Sequence, residues 1–390
     1  MLPVHSGCLG DDDDIDLGGA SGDARTEELT DEGIELTHVV EGLQHPWSLA
    51  FVPSEPWLLV TEREGRLNIL DRESGNFAEV GGVPDVHAVG QGGLLDVGVH
   101  PRYPDERWVY LTYAASDDHG DSTTMLGRGV LTEDANELQE FEVLYTAAPY
   151  VDSTSHYGSR VVFDEDDRLY MTIGDRGFKD FGPDHVSQNT GNDLGTTIRL
   201  ETDGAVPADN PLTDNEDTNH AIYSYGHRNT QGMTVHPQTG EIWQSEHGEE
   251  DGDAINVLEA GGNYGWPIAH YGCEYGTDQP IGDEPRDVDA VVDPVYWWEC
   301  GTGGFPPAGM AFYDGDAFPD WENDLFVGNL AGAYLGRFDV DGRDVAEVDP
   351  LLDDRGWRIR DVAVAPDTGF VWVAIDDSSA PLVRLSPTYS

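Results

Sequence analysis

Lysine is almost absent: of 20 basic residues one, Lys179, is a lysine and the other 19 are arginines. Basic charge is scarce altogether, since 76 Asp and Glu leave a formal net charge of −56. A surface of that sign repels a phosphate backbone at every range, which excludes direct nucleic-acid binding, and it repels anionic lipid headgroups for the same reason. No apolar run approaches the ~18 residues that a membrane-crossing helix requires, and convincing amphipathic helices are missing. Acid excess spread through nearly every loop, with lysine all but lost, reads as adaptation to a very salty medium. At molar salt the Debye length falls to roughly 3 Å, which screens the self-repulsion that would loosen such a chain in dilute buffer. An acidic interaction protein is the alternative, but acidity there is usually blocky.

What is present is enough for a core: of 390 residues, 38% are hydrophobic and 10% aromatic. Residues 1–32 read as an acidic, disordered N-terminal tail containing Asp11-Asp12-Asp13-Asp14, and residues 33–390 as the folded domain. The tail has neither the cationic start nor the long apolar stretch of a signal peptide. His5-Ser6-Gly7-Cys8 followed by a Gly-rich spacer nevertheless matches the end of a lipoprotein signal, with Cys8 as the lipidated residue. Two readings stand: an exported, Cys8-anchored protein whose natural start lies upstream, or a cytoplasmic chain with an incidental cysteine. Cys273 and Cys300 are accordingly either a disulfide, as export would permit, or two free thiols.

One pattern recurs six times. A short apolar strand runs into a turn, then comes an alternating strand ending in small residues, then a third strand often closing on Arg-x-Asp. The copies begin at Ser48-Leu-Ala-Phe-Val-Pro, Asp96-Val-Gly-Val-His-Pro, Arg160-Val-Val-Phe-Asp, Gly232-Met-Thr-Val-His-Pro, Gly309-Met-Ala-Phe-Tyr and Asp361-Val-Ala-Val-Ala-Pro. Period-two alternation over four to six residues is strand chemistry. Six small antiparallel sheets cannot each bury both faces, so they stack radially, and the expected fold is all-β: a six-bladed β-propeller of four-stranded antiparallel sheets. Two stacked sandwiches are the alternative. The early strand Gly33-Ile-Glu-Leu-Thr-His-Val-Val is placed to complete the last blade. The long connections, 176–196 and 262–307, are where function is expected.

The polar motifs cluster just before first strands, which in a propeller brings them near the axis on one face. They are Gly90-Gln91-Gly92-Gly93, Ser155-His156-Tyr157-Gly158-Ser159-Arg160, Tyr225-Gly226-His227-Arg228-Asn229-Thr230-Gln231-Gly232 and Gly262-Asn263-Tyr264-Gly265-Trp266-Pro267, with Ile173-Gly174-Asp175-Arg176-Gly177 and Ser245-Glu246-His247-Gly248-Glu249 nearby. Converging His, Arg, Asn and Gln describe a polar ligand site.

From about residue 40 to 385, and most specifically in the His156–Arg160, Tyr225–Gly232 and Asn263–Pro267 motifs, the chain resembles the soluble glucose and sorbosone dehydrogenases. These are six-bladed propellers carrying pyrroloquinoline quinone (PQQ) and calcium. The resemblance implies oxidation of an aldose at C1 to the lactone by hydride transfer to PQQ, with electrons passed to an acceptor the sequence does not name. It implies His156 as general base and Arg228 as the group polarising the quinone carbonyl, with Asn229 as an orienting donor. Gln91 lies beside the base, Arg358 and Arg360 face cofactor carboxylates, and the carbonyl oxygens of Gly248 and Glu249 hold calcium. By themselves, a His before a strand is a common structural hydrogen-bonder and Arg228 suits a loop salt bridge.

Departures from the family pattern are specific. A cofactor-contacting lysine is replaced by Ala331, and Lys179 and Arg176 are the candidate substitutes. Glu249 stands where the family usually has proline, Ser155 where an acid often precedes the base, and Asp180 where a glutamine can face the cofactor. Phe305, Trp297 and Trp298 are candidates either to cover the quinone and sugar or to plug the core. These departures leave a non-enzymatic binding propeller as the rival, and a calcium-dependent lactonase as a third reading that lacks a use for Arg228, Arg358 and Arg360.

Overall fold

The structure, a computed structural model, describes residues 25–29 and 33–388. It is a six-bladed β-propeller. Five blades are four-stranded antiparallel meanders spanning residues 46–80, 94–146, 161–225, 229–297 and 307–347. The sixth joins three strands of residues 359–387 to the strand Ile34–Leu43, whose register runs from Ile34 opposite Pro387 to Leu43 opposite Ala380. Joining the strand Ile34–Leu43 to the three strands of residues 359–387 in one sheet closes the ring. The innermost strands of successive blades pack on one another in cyclic order.

The reading of residues 1–32 as tail is corrected over one segment. Arg25–Leu29 adds a fifth, outermost strand to the last blade, paired residue for residue with Ile34–His38. Glu27 is fixed by an ion pair to Arg355 at 2.6 Å, and the Thr26 and Thr37 hydroxyls meet at 3.3 Å, so an alternating, Gly-free segment finds partners here. Cys8 and the Asp11–Asp14 run lie outside the described residues.

Apolar clusters lie between blades, as radial stacking demands. Leu59, Leu67, Val97, Val109 and Leu111 join the first blade to the second. Trp243, Ile255, Phe312, Val327 and Phe338 join the fourth to the fifth. At the axis sits an ionic plug: Arg160 Nη1 is 3.0 Å from Asp96 and 3.1 Å from Asp361, all three buried. Asp96 also accepts Val161 N–H, and Asp361 accepts Leu49 N–H, so the plug ties inner strands together across the ring.

Trp298 and Phe305 belong to this packing. They stack with centroids 4.4 Å apart and are 8% and 0% exposed, against Phe338. Their candidacy as a cover over a ligand is therefore withdrawn: the Gly-Gly-Phe turn drives Phe305 into the fifth blade. Trp297 stacks on Tyr271 at 4.4 Å. Cys273 and Cys300 form a disulfide, Cα atoms 5.6 Å apart, tying the small hairpin of 269–282 to the Gly301–Gly304 turn. Among the described residues no helix is long and apolar enough to cross a membrane.

Candidate active site

In a meander propeller all inner strands run the same way, so the residues just before them mark one rim. Gln91, His156, Arg228, Pro306 and Arg358 all occupy that place, and the sequence motifs are therefore brought together. The acids that end the second strands, Glu62, Asp175, Glu246 and Asp376, reach the same rim because those strands run antiparallel to the first.

His156 lies on a tight turn with φ of +49°, followed by Gly158 at +65° and Ser159 at +89°. A Cβ at Gly158 would come within 2.9 Å of Ile173 backbone, so only glycine fits there. A left-handed histidine needs its surroundings to hold it. Gln91 Oε1 accepts His156 N–H at 2.7 Å, Asn229 Oδ1 accepts Gly158 N–H at 3.2 Å, and Ser159 N–H goes to Thr172 O at 2.7 Å. The imidazole Nδ1 is 2.6 Å from Asp175 Oδ1, while Trp266 Nε1–H donates to Asp175 Oδ2 at 2.9 Å. Asp175 is fully buried. Burial opposes its ionisation, but the hydrogen bond and charge of His156, the charge of Arg228 and Gly177 N–H together hold it below the ordinary carboxylate range. Toward an ionised Asp175, His156 Nδ1 is the donor of their hydrogen bond, and Nε2 is the ring nitrogen that Asp175 does not engage.

Arg228 is 4% exposed. Its backbone is pinned by N–H to Glu246 Oε2 at 3.0 Å and by its carbonyl accepting Asp175 N–H at 2.7 Å. Its guanidinium lies 5.3 Å from the Trp266 ring, Nη2 donates to Glu249 Oε2 at 2.6 Å, and Nε is buried with no partner. His247 and His270 are pushed down to about 3 and about 4, first by burial and then by the charge of Arg228, so both are neutral near pH 7. The charges of His156 and Arg360 push His247 in the same direction.

Beside them opens a cleft of about 450 Å³ lined by His247, Gly248, Glu249, Asp251, Tyr275 and Ala331 among others. Gly248 N–H donates to Asp253 Oδ1 at 2.9 Å, and Asp253 Oδ2 accepts Phe305 N–H at 2.7 Å. A Cβ on Gly248 would lie 1.9 Å from Asp251 O, so the turn presenting the 248 and 249 carbonyls needs glycine. Burial and loss of solvent raise Asp253 to about 6.

Arg358 and Arg360 share one carboxylate. Arg360 is buried, giving Nη2 to Asp376 Oδ2 at 2.7 Å and Nη1 to Gln231 Oε1 at 2.8 Å. Arg358 has a half-exposed side chain, donates Nη1 to Leu330 O at 3.0 Å, and lies 3.5 Å from Asp376. The expectation that both arginines point at one ligand is thus modified: one is spent inside the wall and the other faces outward. Arg176 is likewise spent, with four hydrogen bonds to Ser155 O, Ser122 O, Ser122 Oγ and Ser153 O and its guanidinium on the Tyr157 ring. It clamps the turn before the base and cannot stand in for a cation at 331.

Asp175, Trp266 and Glu249 stand in the quoted motifs, but their side chains were given no role there, and Asp376 stood in no motif. A signal for the acids was there: blades one, three, four and six each close the second strand on Glu62, Asp175, Glu246 or Asp376.

With this geometry in place, comparison with known proteins is informative. Residues 43–384 match the model of the glucose/sorbosone dehydrogenase family. The chain belongs to that family. It is 36% identical over 345 residues to the aldose sugar dehydrogenase YliI of Escherichia coli K12, covering 88% of this chain and 91% of that one. It is 26% identical over 416 residues to quinoprotein glucose dehydrogenase B of Acinetobacter calcoaceticus, covering 88% and 86%. The crystal structure of the soluble E. coli aldose sugar dehydrogenase in its apo-form superposes with a TM-score of 0.85 at 35% identity, over 91% of this chain and 99% of that one. The PQQ-bound aldose sugar dehydrogenase of Streptomyces coelicolor superposes with a TM-score of 0.73 at 26% identity, over 93% and 98%. Both of these curated relatives are named as sugar dehydrogenases, and the second of them as a quinoprotein.

Proposed function

We propose that this chain is a PQQ- and calcium-dependent aldose dehydrogenase that oxidises C1 of the sugar to the lactone. The observation that carries the reading is the Asp175–His156 pair, with a free imidazole nitrogen on the rim where Arg228 is buried with an orphaned Nε–H. A tricarboxylate quinone needs cationic donors and buried N–H groups, and these residues fit it. Arg228 and Asn229 would hold the quinone end, Arg358 a carboxylate, and the carbonyls of Gly248 and Glu249 the calcium. When bound, PQQ supplies the hydride acceptor.

The protein's own part is proton handling and orientation. His156 Nε2 takes the C1 hydroxyl proton. Asp175, ionised and dry, stabilises the resulting imidazolium on its Nδ1 side. Gln91 and Asn229 keep the strained turn from relaxing, so the base stays aimed. Arg228, anchored at both backbone ends, holds charge that builds on a neighbouring oxygen. Neutral His247 and His270 add no competing charge. Arg360 acts one layer back, fixing the Asp376 carboxylate that orients Arg358.

The lactonase reading gains no support, because Asp96 and Asp361, the axial acids, are both committed to Arg160. The test is aldose-dependent reduction of an electron-accepting dye by protein loaded with PQQ and calcium, with lactone as product. Uptake of PQQ without turnover on any aldose points to the binding-only rival, and no uptake removes the dehydrogenase reading.

A further inference from the structure

The turn of residues 248–252, which follows the strand Ile242–His247, is gripped from two sides. On one side Glu250 and Cys273 exchange both backbone hydrogen bonds at 3.0 Å, so the hairpin of 269–282 pairs with the turn. On the other side Gly252 N–H donates to Trp298 O at 2.7 Å, and Gly301 N–H donates to Asp251 Oδ2 at 2.5 Å. The Cys273–Cys300 disulfide takes one half from each flank and bridges a sequence separation of 27 residues.

The hairpin touches the turn backbone against backbone. A Cβ on Gly272 would lie 2.4 Å from Asp251 O, so no side chain cushions the contact, and drift of the hairpin passes directly to residues 250–252. Carbonyl ligands bring dipoles rather than full charges, so the affinity of such a turn for a hard cation depends on how rigidly its oxygens are held. The cleft beside it is lined by Glu249, Glu250, Asp251 and Asp253 and, among the described residues, by no lysine or arginine, which suits a cation. A cross-link between the flanks limits the ways in which they can separate, whereas hydrogen bonds alone would let them open.

Resting on the calcium reading of the Gly248 and Glu249 carbonyls, we infer that the Cys273–Cys300 disulfide is a positioning cross-link for the cation site. It touches no ion itself. It keeps the hairpin and the 298–301 segment closed on the turn, so the carbonyls are held ready before the ion arrives. Loss of a support of this kind weakens metal binding by about 10–100-fold.

Calcium binding to the full chain would be measured by calorimetry in molar KCl, which screens loose counter-ion binding to surface carboxylates. The proteins compared are wild type, Cys273→Ala with Cys300→Ala, and Gly272→Ala, which keeps the disulfide but wedges the hairpin off the turn. Leu131→Ala, a cavity in the core of the second blade, controls for loss of stability as such. The double variant and Gly272→Ala should each bind calcium ~10–100-fold more weakly, while Leu131→Ala binds as wild type although its thermal midpoint falls. Amide exchange at Glu250 and Gly252 in calcium-free protein should be faster in the double variant than in wild type. Wild-type calcium affinity in the double variant, or unchanged exchange at those two amides, would overturn the assignment while leaving the calcium reading intact. Should the double variant fail to fold, wild-type affinity in Gly272→Ala would overturn it in the same way. Wild type that binds no calcium would remove both.

Discussion

The Asp175 carboxylate, itself buried, divides its oxygens between His156 Nδ1 at 2.6 Å and Trp266 Nε1 at 2.9 Å. A buried carboxylate held ionised in this way fixes the tautomer of the histidine and lowers the cost of charging it. Asp175→Asn should keep the fold and the PQQ affinity but lower kcat by ~10²–10⁴-fold, since proton transfer loses both tautomer control and charge stabilisation. Steady-state kinetics beside a PQQ binding isotherm checks this. An unchanged kcat would separate His156 from the chemistry.

The two arginines on Asp376 should part company under mutation. Arg360→Met breaks a buried pair and leaves Asp376 short of its main counter-charge, so it should cost about 3–5 kcal/mol of stability. Arg358→Met touches a half-exposed side chain and should cost less than ~1 kcal/mol, yet weaken PQQ by ~10–100-fold. Denaturant unfolding and PQQ titration of both variants distinguish the roles, and equal stability losses would contradict them.

How much of this was readable in the amino-acid order depends on the kind of signal. Strands such as Asp96-Val-Gly-Val-His-Pro repeat a local period, and so the ring was legible, closing strand included. The second blade's long outer pair, Ser122–Leu131 and Leu138–Thr146, was not, because its two register shifts blur the alternation. His156, Arg228 and Gln91 were legible because they sit in compact motifs before first strands. Asp175 and Asp376 were not assigned, because their partners His156 and Arg360 lie 19 and 16 residues away in sequence, and such pairings are created by the folding of a blade rather than by local pattern. Phe305 misled for the same reason. A Gly-rich aromatic loop looks alike whether its ring faces a ligand or a neighbouring blade.

The axial plug should give stability a definite pH slope. Burial first, outweighing the charge of Arg160, raises Asp361 to about 6, above the ordinary value near 4. The folded state therefore binds more protons than the unfolded one between about pH 4 and pH 6. The contribution of this group is most favourable below that window and declines as pH rises through it. Thermal midpoints of wild type minus Asp361→Asn, measured from pH 4 to 7, should fall with rising pH. A difference that grows with pH would contradict the burial argument.

The acid excess predicts an equally simple salt response. With a net charge of −56, self-repulsion should dominate at low ionic strength, so the thermal midpoint should rise steadily from dilute buffer to molar KCl. A flat or falling midpoint across that range would rule out salt adaptation as the reason for the composition.

The most direct test is a single-turnover experiment on PQQ-loaded protein mixed with excess aldose, comparing wild type with His156→Ala. We expect wild type to reduce its bound quinone on mixing, and more slowly with aldose deuterated at C1. His156→Ala should bind PQQ equally well and reduce it at least ~10²-fold more slowly. Reduction by His156→Ala at the wild-type rate would contradict the account.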